Sequence, residues 1–446
     1  YIKYKIKSIK YEKKNINKRD VPFFFIVSLY RIISMSNIET NLISQGSYGC
    51  IFQPGFTCKG KSINNKKYIT KVQKRADTSK KETKLGKKII KIDSYEDYFA
   101  PILKTCEISL ARMEKDSVKR CDFIEESNDK KYESNKLRYV GKNTLSKYIL
   151  DVVDDKPTAL VRVLINTHKH LLVGFKKLFS EGIVHLDVKE NNVMMEDNNG
   201  TPIIIDFGLS CEVKKISDNK YRDAFFVYGP DYAPWCIDIC MMTYMANELE
   251  QEIIPPGMLG FVGFEEKKTK NWMEGMVTKE KLTKVINDFI KKNTAMTELF
   301  NKEQKTEYSK TLHEYFNSFV GKTWNELAEA LIANVSSWDC YAVSVVYLHL
   351  LQDLELRNVD KRISSWDSYK KILEDMILSK PDERMNCNDM IKKLDILFSN
   401  ISRSENTKIR KLLDIVLVKN KNIHTNVLNS VRNNLHRETK VYQALQ

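Results

Sequence analysis

The sequence predicts an α+β fold with two lobes, a small β-rich N-lobe followed by a larger, mainly helical C-lobe. Short apolar and β-branched segments separated by turns dominate the first third of the chain, as is typical of strands. Helical spacing of apolar residues dominates from about residue 157 onward. The composition, 42% hydrophobic and 29% charged over 446 residues, is that of a globular protein and excludes a disordered chain.

The N-lobe is assigned to residues 35–141. Its predicted elements are strands at 42–43, 50–52, 68–72, 98–103 and 137–140 and a lysine-rich helix at about 78–92. Leu85, Ile89 and Ile92 share one face of this helix, so that face is expected to be buried.

The C-lobe is assigned to residues 142–399. A helix is predicted to begin near Pro157 and to end at Gly182. Two short strands at 193–195 and 203–205 follow, joined by a turn at 198–200. Beyond Pro234 the chain is expected to be mainly helical, with an insertion at about 237–335.

The formal charge of +15 is concentrated at the two ends of the chain. Residues 1–34 carry +7 and residues 401–446 carry +6, which leaves about +2 for the body between them. A nucleic-acid-binding core carries its positive charge on the folded body, so no specific nucleic-acid partner is predicted. Basic ends are most often solvated, although they also suit an acidic partner or a membrane surface.

The ends themselves are assigned outside the two lobes. In residues 1–34 a basic stretch precedes an apolar run at 21–34, which is too short and too interrupted by Arg31 to span a bilayer. We expect this extension to precede a true start at Met35, while a signal or an anchor stays open as the alternative. Residues 400–446 are expected to form a basic helical extension, and no transmembrane segment is predicted.

The nine cysteines are scattered and form no zinc-ligand set, because no CxxC pair and no histidine cluster accompany them. The odd count without a recognisable framework predicts reduced thiols rather than disulfides.

A glycine-containing turn between two strand-like pieces is the first candidate site. Glycines at such a turn let backbone N–H groups approach phosphate oxygens closely, although a plain hairpin has the same appearance. The residues of this predicted nucleotide loop are Ser44, Gln45, Gly46, Ser47, Tyr48, Gly49, Cys50 and Ile51. Lys71 follows in an apolar strand, where it either faces solvent or binds phosphates, and Glu82 on the next helix is its candidate partner.

Two loops after apolar segments carry the stronger signal. His185–Val193 supplies Asp187, Lys189 and Asn192, and a second loop supplies Asp206, followed by Phe207 and Gly208. Phosphoryl transfer needs a carboxylate to accept the proton of the incoming hydroxyl, oxygen ligands for magnesium and a cation for the developing charge. The order and spacing of the two loops therefore indicate phosphoryl transfer.

These stretches resemble the signature motifs of eukaryotic-type serine/threonine protein kinases, over about residues 41–395. The resemblance implies that Asp187 is the catalytic base, that Lys189 neutralises the transferred phosphate and that Asn192 and Asp206 bind Mg²⁺. It also implies ATP as the cofactor bound by the nucleotide loop, with Lys71 on its phosphates and Glu82 orienting that lysine. Lysine two residues after the base is the serine/threonine-type pattern, and a protein is the implied substrate.

Later motifs extend the resemblance, and several residues depart from it. Asp339, at the start of a buried helix, is expected to brace the catalytic loop. Asp231 is the nearest candidate to pair with Arg384. Ser44 replaces the first glycine of the loop, and Leu186 replaces an arginine that normally receives an activating phosphate, which predicts an enzyme independent of that switch.

Lys-, Ile- and Asn-rich composition and the 98–101 segment resemble the divergent kinases of giant, mimivirus-like DNA viruses. That resemblance implies a cytoplasmic location, in the host cell or in the virion. Two alternatives stay open: a pseudokinase scaffold, and a small-molecule phosphotransferase of the aminoglycoside or choline kinase kind. The protein substrate and the oligomeric state are not determined by the sequence.

Overall fold

The computed structural model describes the chain over eleven ranges. They are residues 42–46, 49–55, 57–58, 67–74, 77–109, 121–122, 131–155, 160–217, 224–249, 272–357 and 366–399. The predicted extensions at 1–34 and 400–446 lie outside the described residues, as do Ser47 and Tyr48 of the predicted nucleotide loop.

The N-lobe is built on one antiparallel sheet of five strands, in the order β1-β2-β3-β5-β4. The strands are β1 (Leu42–Gly46), β2 (Gly49–Phe52), β3 (Tyr68–Lys74), β4 (Lys104–Ser109) and β5 (Lys131–Arg138). Alternation along β2 and β3 buries Cys50, Phe52 and Val72 against Ile108 and Tyr132 in a small core of their own.

Helix α1 (Asp77–Ile89) joins the N-lobe to the core of the C-lobe. Leu85 and Ile89 on its apolar face are buried in the larger core cluster and not in that of the sheet. Gly86 lies where a Cβ atom would come within 2.6 Å of the carbonyl oxygen of Ile102, so only glycine allows the helix to approach this closely.

The C-lobe is mainly helical. Its described helices are α2 (Leu145–Asp155), α3 (Leu160–Ser180), α4 (Val213–Ser217), α5 (Ile237–Tyr244), α6 (Lys279–Lys292), α7 (Thr294–Leu299), α8 (Lys302–Asn317), α9 (Trp324–Ile332), α10 (Trp338–Leu356), α11 (Trp366–Leu378) and α12 (Cys387–Ser399). Helix α10 is apolar on all sides and almost wholly buried, as expected of the central helix around which the others pack. The prediction of a two-lobed α+β fold is confirmed.

Short strands accompany the helices of the C-lobe. They are β6 (Asn143–Thr144), β7 (Ile183–Val184), β8 (Val193–Met195), β9 (Pro202–Ile204) and β10 (Cys211–Glu212). The predicted strand pair at 193–195 and 203–205 corresponds to β8 and β9, which pair in an antiparallel register. The loop with Asp187 precedes β8 and the loop with Asp206 follows β9. Because Val193 pairs with Ile204, both loops lie at the same end of this small sheet.

The predicted insertion is helical in its described part. Helices α6 to α9 lie within it, and Leu282, Val285, Ile286 and Phe289 of α6 are buried at helical spacing. Residues 250–271 of the insertion lie outside the described residues.

Two sequence expectations about the N-lobe are wrong. Residues 98–103 do not form a strand of the sheet: Phe99 makes a single bridge to Ile204 and is buried where the chain crosses between the lobes. The cysteines are not all reduced thiols, because disulfides join Cys50 to Cys121 and Cys58 to Cys106. Each pair joins a strand residue, Cys50 of β2 or Cys106 of β4, to a residue outside the strands that is 71 or 48 positions away, and cysteine spacing does not reveal this.

No single helix in the described ranges has both the length and the apolar character needed to cross a bilayer. The pair Trp324–Ile332 and Val335–Leu356 meets those criteria only when taken together, and it bends by 47° at the break.

Candidate active site

The predicted nucleotide loop lies at the turn of the β1–β2 hairpin. Gly46 pairs with Gly49, Gln45 with Cys50 and Ser44 with Ile51. A Cβ atom on Gly49 would lie 2.2 Å from the carbonyl oxygen of Val72, so glycine is required there for β2 to approach β3.

Two side chains of this loop contact residues 121–122. The Gln45 amide donates to Asp122 Oδ2 over 3.0 Å and accepts from the Asp122 backbone N–H over 3.1 Å. Cys50 is buried and bonded to Cys121. From these positions the loop can contact phosphates through its backbone but not through the side chains of Gln45 and Cys50.

Lys71, Glu82 and Asp206 meet between the lobes. Lys71 Nζ lies 3.5 Å from Glu82 Oε2 and 3.4 Å from Asp206 Oδ1. Glu82 follows Lys71 by eleven residues in the sequence, and this short interval permits the predicted pair. Burial in the core under α1 leaves the Glu82 side chain only 5% exposed.

The ion pairs perturb all three groups. Burial raises the pKa of Glu82 to about 7, with the Lys71 charge opposing the rise. Burial alone lowers the pKa of Lys71, but the charges of Asp206 and Glu82 outweigh it and raise that pKa. Burial likewise raises the pKa of Asp206, but the Lys71 cation, helped by Lys189, outweighs it and lowers that pKa, so Asp206 is a carboxylate at neutral pH.

The loop His185–Asn192, here named the catalytic loop after its predicted role, is held by a carboxylate from the central helix α10. Asp339, in the first turn of α10, accepts the backbone N–H of His185 over 2.8 Å and that of Leu186 over 3.1 Å. Leu186 adopts a left-handed backbone with a φ of 62°, which costs a non-glycine residue on the order of 1–2 kcal/mol. The two bonds from Asp339 offset that strain, as the sequence predicted for a bracing residue.

His185 links the two loops. Its Nδ1 accepts the backbone N–H of Asp187 over 3.2 Å, which leaves Nε2 to donate to the carbonyl of Ile205 over 3.2 Å. Phe207 packs edge-on against His185 and against Phe99, with ring centroids 5.1 and 6.1 Å apart. The buried Phe207 thus anchors the loop that presents Asp206, whose own backbone is left-handed with a φ of 61°.

The carboxylate of Asp187 is nearly buried and surrounded by donors. Asn192 Nδ2 donates to its Oδ2 over 2.9 Å and to its backbone carbonyl over 2.8 Å. Lys189 Nζ lies 3.0 Å from Oδ1 and 3.1 Å from Oδ2. The hydroxyl of Tyr232 donates to Oδ1 and lies 3.3 Å from Lys189 Nζ.

Tyr232 was not identified from the sequence. Tyr232 lies in the segment between the Asp206 loop and Pro234. No sequence motif in this segment indicates that a tyrosine hydroxyl contacts the catalytic loop.

The predicted pairing of Asp231 with Arg384 is wrong. Arg384 Nη2 donates to Asp238 Oδ2 over 2.8 Å, and both side chains are fully buried. Trp338 Nε1 donates to the other oxygen of Asp238 over 3.2 Å. Asp238 lies in the first turn of α5, seven residues beyond the predicted Asp231, so the partner of Arg384 comes from the helix and not from the segment that precedes it.

The oxygen atoms of Asn192 and Asp206 suit the binding of a magnesium–nucleotide complex. Both hydrogen bonds of the Asn192 amide use Nδ2, which leaves Oδ1 as its cation-binding atom, and Asp206 adds a carboxylate. No cluster of three or more His, Cys, Asp or Glu suited to a metal occurs in the described part of the chain. Mg²⁺ commonly takes one or two protein ligands and completes its shell with phosphate oxygens and water, which such a pair suits.

Comparison with known proteins agrees with this geometry. The family model described as the protein kinase domain matches residues 39–394, which include nearly all of both lobes and every site residue named above. Comparison with curated proteins finds no match. On the strength of that family match, the chain belongs to the protein kinase domain family.

Proposed function

We propose that this protein is a Mg-ATP-dependent serine/threonine protein kinase that transfers the ATP γ-phosphate to a protein hydroxyl. The arrangement of donors around Asp187, opposite the Lys71, Glu82 and Asp206 cluster, is the observation that supports this most directly.

In the proposed mechanism, Asp187 accepts the proton of the substrate hydroxyl as the oxygen attacks the phosphorus atom. Lys189, beside that carboxylate, stabilises the charge on the transferred group. Lys71 binds phosphate oxygens and is held in place by Glu82, and Asn192 and Asp206 would hold Mg²⁺. When bound, Mg-ATP supplies the transferable phosphoryl group and the metal charge that offsets that of the phosphates.

Two features support this function over the alternatives. A pseudokinase scaffold typically lacks one of Lys71, Asp187, Asn192 or Asp206, and this chain keeps all four. Small-molecule phosphotransferases of the aminoglycoside and choline kinase kind generally lack the lysine at the position of Lys189, and this lysine also supports serine and threonine as acceptors. The giant-virus resemblance supports a viral origin and a cytoplasmic or virion location, which stay predictions.

The decisive experiment measures γ-phosphate transfer by the full chain to a mixture of unstructured protein substrates. Asp187→Asn is expected to lower kcat by about 10³-fold, because the amide cannot accept the hydroxyl proton. Mg-ATP should still raise the melting temperature of this variant. The matched control is Asp395→Asn, which removes a surface carboxylate paired with Lys169 and should leave kcat unchanged.

Each alternative has its own outcome. Binding of Mg-ATP without transfer to any acceptor indicates a pseudokinase. Transfer to choline or an aminoglycoside but not to protein indicates a small-molecule phosphotransferase. Wild-type rates in Asp187→Asn contradict the assignment of the base.

A further inference from the structure

The segment Tyr228–Trp235, here named the strap, crosses from the catalytic loop to the helical insertion. On its catalytic side, the Tyr232 hydroxyl donates to Asp187 Oδ1 and lies 3.3 Å from Lys189 Nζ. Trp235 Nε1 donates to the carbonyl of Leu186 over 2.9 Å, and its ring packs edge-on against that of Tyr232. The strap therefore contacts the side chains of Asp187 and Lys189 and the backbone carbonyl of Leu186.

On its other side, the strap is bonded to the junction of helices α6 and α7 in the insertion. Asn293 Nδ2 donates to the carbonyls of Tyr232 over 2.9 Å and Trp235 over 3.4 Å. Thr294 donates to the carbonyl of Asp231 twice, from its backbone N–H over 3.1 Å and from Oγ1 over 2.9 Å.

Asn293 has a second task that explains its fixed orientation. Its Oδ1 accepts the backbone N–H of Ala295 over 3.1 Å and so caps α7. The side chain is fully buried, and the cap leaves its amide nitrogen directed at the strap. The helical junction thus presents a preoriented donor, at no further cost in side-chain entropy.

Leu186 bears on how the strap is held in place. A cation at this position could hold a phosphorylated activation segment, but Leu186 is apolar and buried and cannot bind a phosphate. The strap is instead held by neutral hydrogen bonds to Asn293, Thr294 and the Leu186 carbonyl.

We propose that Tyr232 is a positioning residue for the catalytic carboxylate, and that the insertion holds it there through Asn293 and Thr294 in place of an activating phosphate. This proposal rests on the function proposed above. Asn192 fixes Oδ2 of Asp187 and Tyr232 fixes Oδ1, so the carboxylate cannot rotate. Oδ1 has two lone pairs, and Tyr232 and Lys189 each contact it. A substrate hydroxyl can donate to Oδ1 beside Tyr232 once Lys189 turns to the transferred phosphate, which is its proposed role.

The four bonds between the insertion and the backbone of the strap argue against Tyr232 as a plug. A plug has to leave Asp187 before substrate binds, and the bonds to the carbonyls of Asp231, Tyr232 and Trp235 oppose that movement. A phosphate acceptor would donate to Asp187 as Tyr232 does, so mass spectrometry separates that role from positioning.

The first test is Tyr232→Phe, which removes the hydroxyl and keeps the ring. We expect kcat for protein substrate to fall about tenfold or more while the KM for ATP stays within twofold, because the phenol contacts Asp187 and not the Lys71 cluster. Intact-mass and peptide mass spectrometry of wild type after incubation with Mg-ATP should find no phosphate on Tyr232. An unchanged or raised kcat, or phosphate on Tyr232, overturns the proposal.

The second test separates the strap from ordinary helix capping. Asn293→Asp keeps an oxygen to cap α7 but faces the strap carbonyls with a carboxylate instead of a donor, so kcat should fall. Asn301→Asp makes the same change at the cap of α8, where the side chain accepts from Gln304 and does not touch the strap, and kcat should not change. Equal effects of the two variants overturn the role of the insertion.

A double variant tests whether Asn293 acts through Tyr232. In Tyr232→Phe with Asn293→Asp, kcat should equal that of Tyr232→Phe alone, whereas independent structural damage multiplies the two losses. Should Asn293→Asp fail to fold, Thr294→Val removes one bond to the strap without a buried charge. Its control is Thr311→Val, whose hydroxyl bonds within α8. A kcat for Thr294→Val equal to that of Thr311→Val then overturns the proposal.

These outcomes are distinct from failure of the proposed function. If wild type transfers no phosphate to protein, the kinase proposal fails and the strap proposal fails with it. If wild type is active and the strap variants match their controls, only the strap proposal fails.

Discussion

At the scale of single residues, Glu82 is the group whose ionisation near neutral pH has the clearest consequence. Burial raises its pKa to about 7, while its partner Lys71 keeps its charge. Protonation of Glu82 as the pH falls through about 7 removes one of the two anions that orient Lys71, and Asp206 alone then holds the lysine.

We therefore expect the Kd for Mg-ATP to rise as the pH falls from 8 to 6, by about severalfold. Isothermal titration calorimetry at fixed ionic strength measures this. Glu82→Gln is neutral throughout the range, so its pH dependence reports only the titration of the nucleotide phosphates. Identical slopes for wild type and Glu82→Gln would falsify the assignment of the titration to Glu82.

At the scale of secondary-structure elements, the pair Asp238–Arg384 ties α5 to the segment before α12. Both side chains are fully buried, and Trp338 at the start of α10 adds a third element to the contact. Removing one partner of a buried pair leaves an uncompensated charge, which commonly costs about 3–5 kcal/mol.

Arg384→Met is expected to lower the free energy of unfolding by about that amount, measured by denaturant titration. Replacing Asp238 by leucine in the same chain should recover part of the loss, because neither charge then remains buried. Lys380→Met, which removes a surface pair with Glu383, should change the free energy of unfolding by less than about 1 kcal/mol. A loss for Arg384→Met no larger than this control contradicts the energetic role of the buried pair.

At the scale of the whole molecule, the proposed kinase couples its catalytic loop to the insertion without a phosphate-binding cation at Leu186. We expect dephosphorylation to leave activity largely intact. The measurement compares kcat before and after treatment with a broad-specificity phosphatase, with mass spectrometry to verify that phosphate has been removed. A collapse of kcat that preincubation with Mg-ATP restores shows that another basic residue binds an activating phosphate.

The local chemistry was predictable because it depends on residues close together in the chain. The His185–Asn192 and Asp206–Gly208 loops adjoin short apolar strands, and their order alone indicated phosphoryl transfer. The bracing role of Asp339 was implied by the resemblance to protein kinases, and the structure places this carboxylate on the backbone N–H groups of His185 and Leu186.

The sequence by itself thus determined the two-lobed α+β fold and the set of polar groups available for chemistry, because strand and helix periodicity act over a few residues. Only the tertiary structure decided which distant groups meet: Arg384 with Asp238, Cys50 with Cys121, and Tyr232 with Asp187. Those contacts join residues 45 to 146 positions apart, and they depend on how whole elements pack. The strap and its fastening to the insertion belong to this second group, because no local pattern specifies that Asn293 faces the carbonyl of Tyr232.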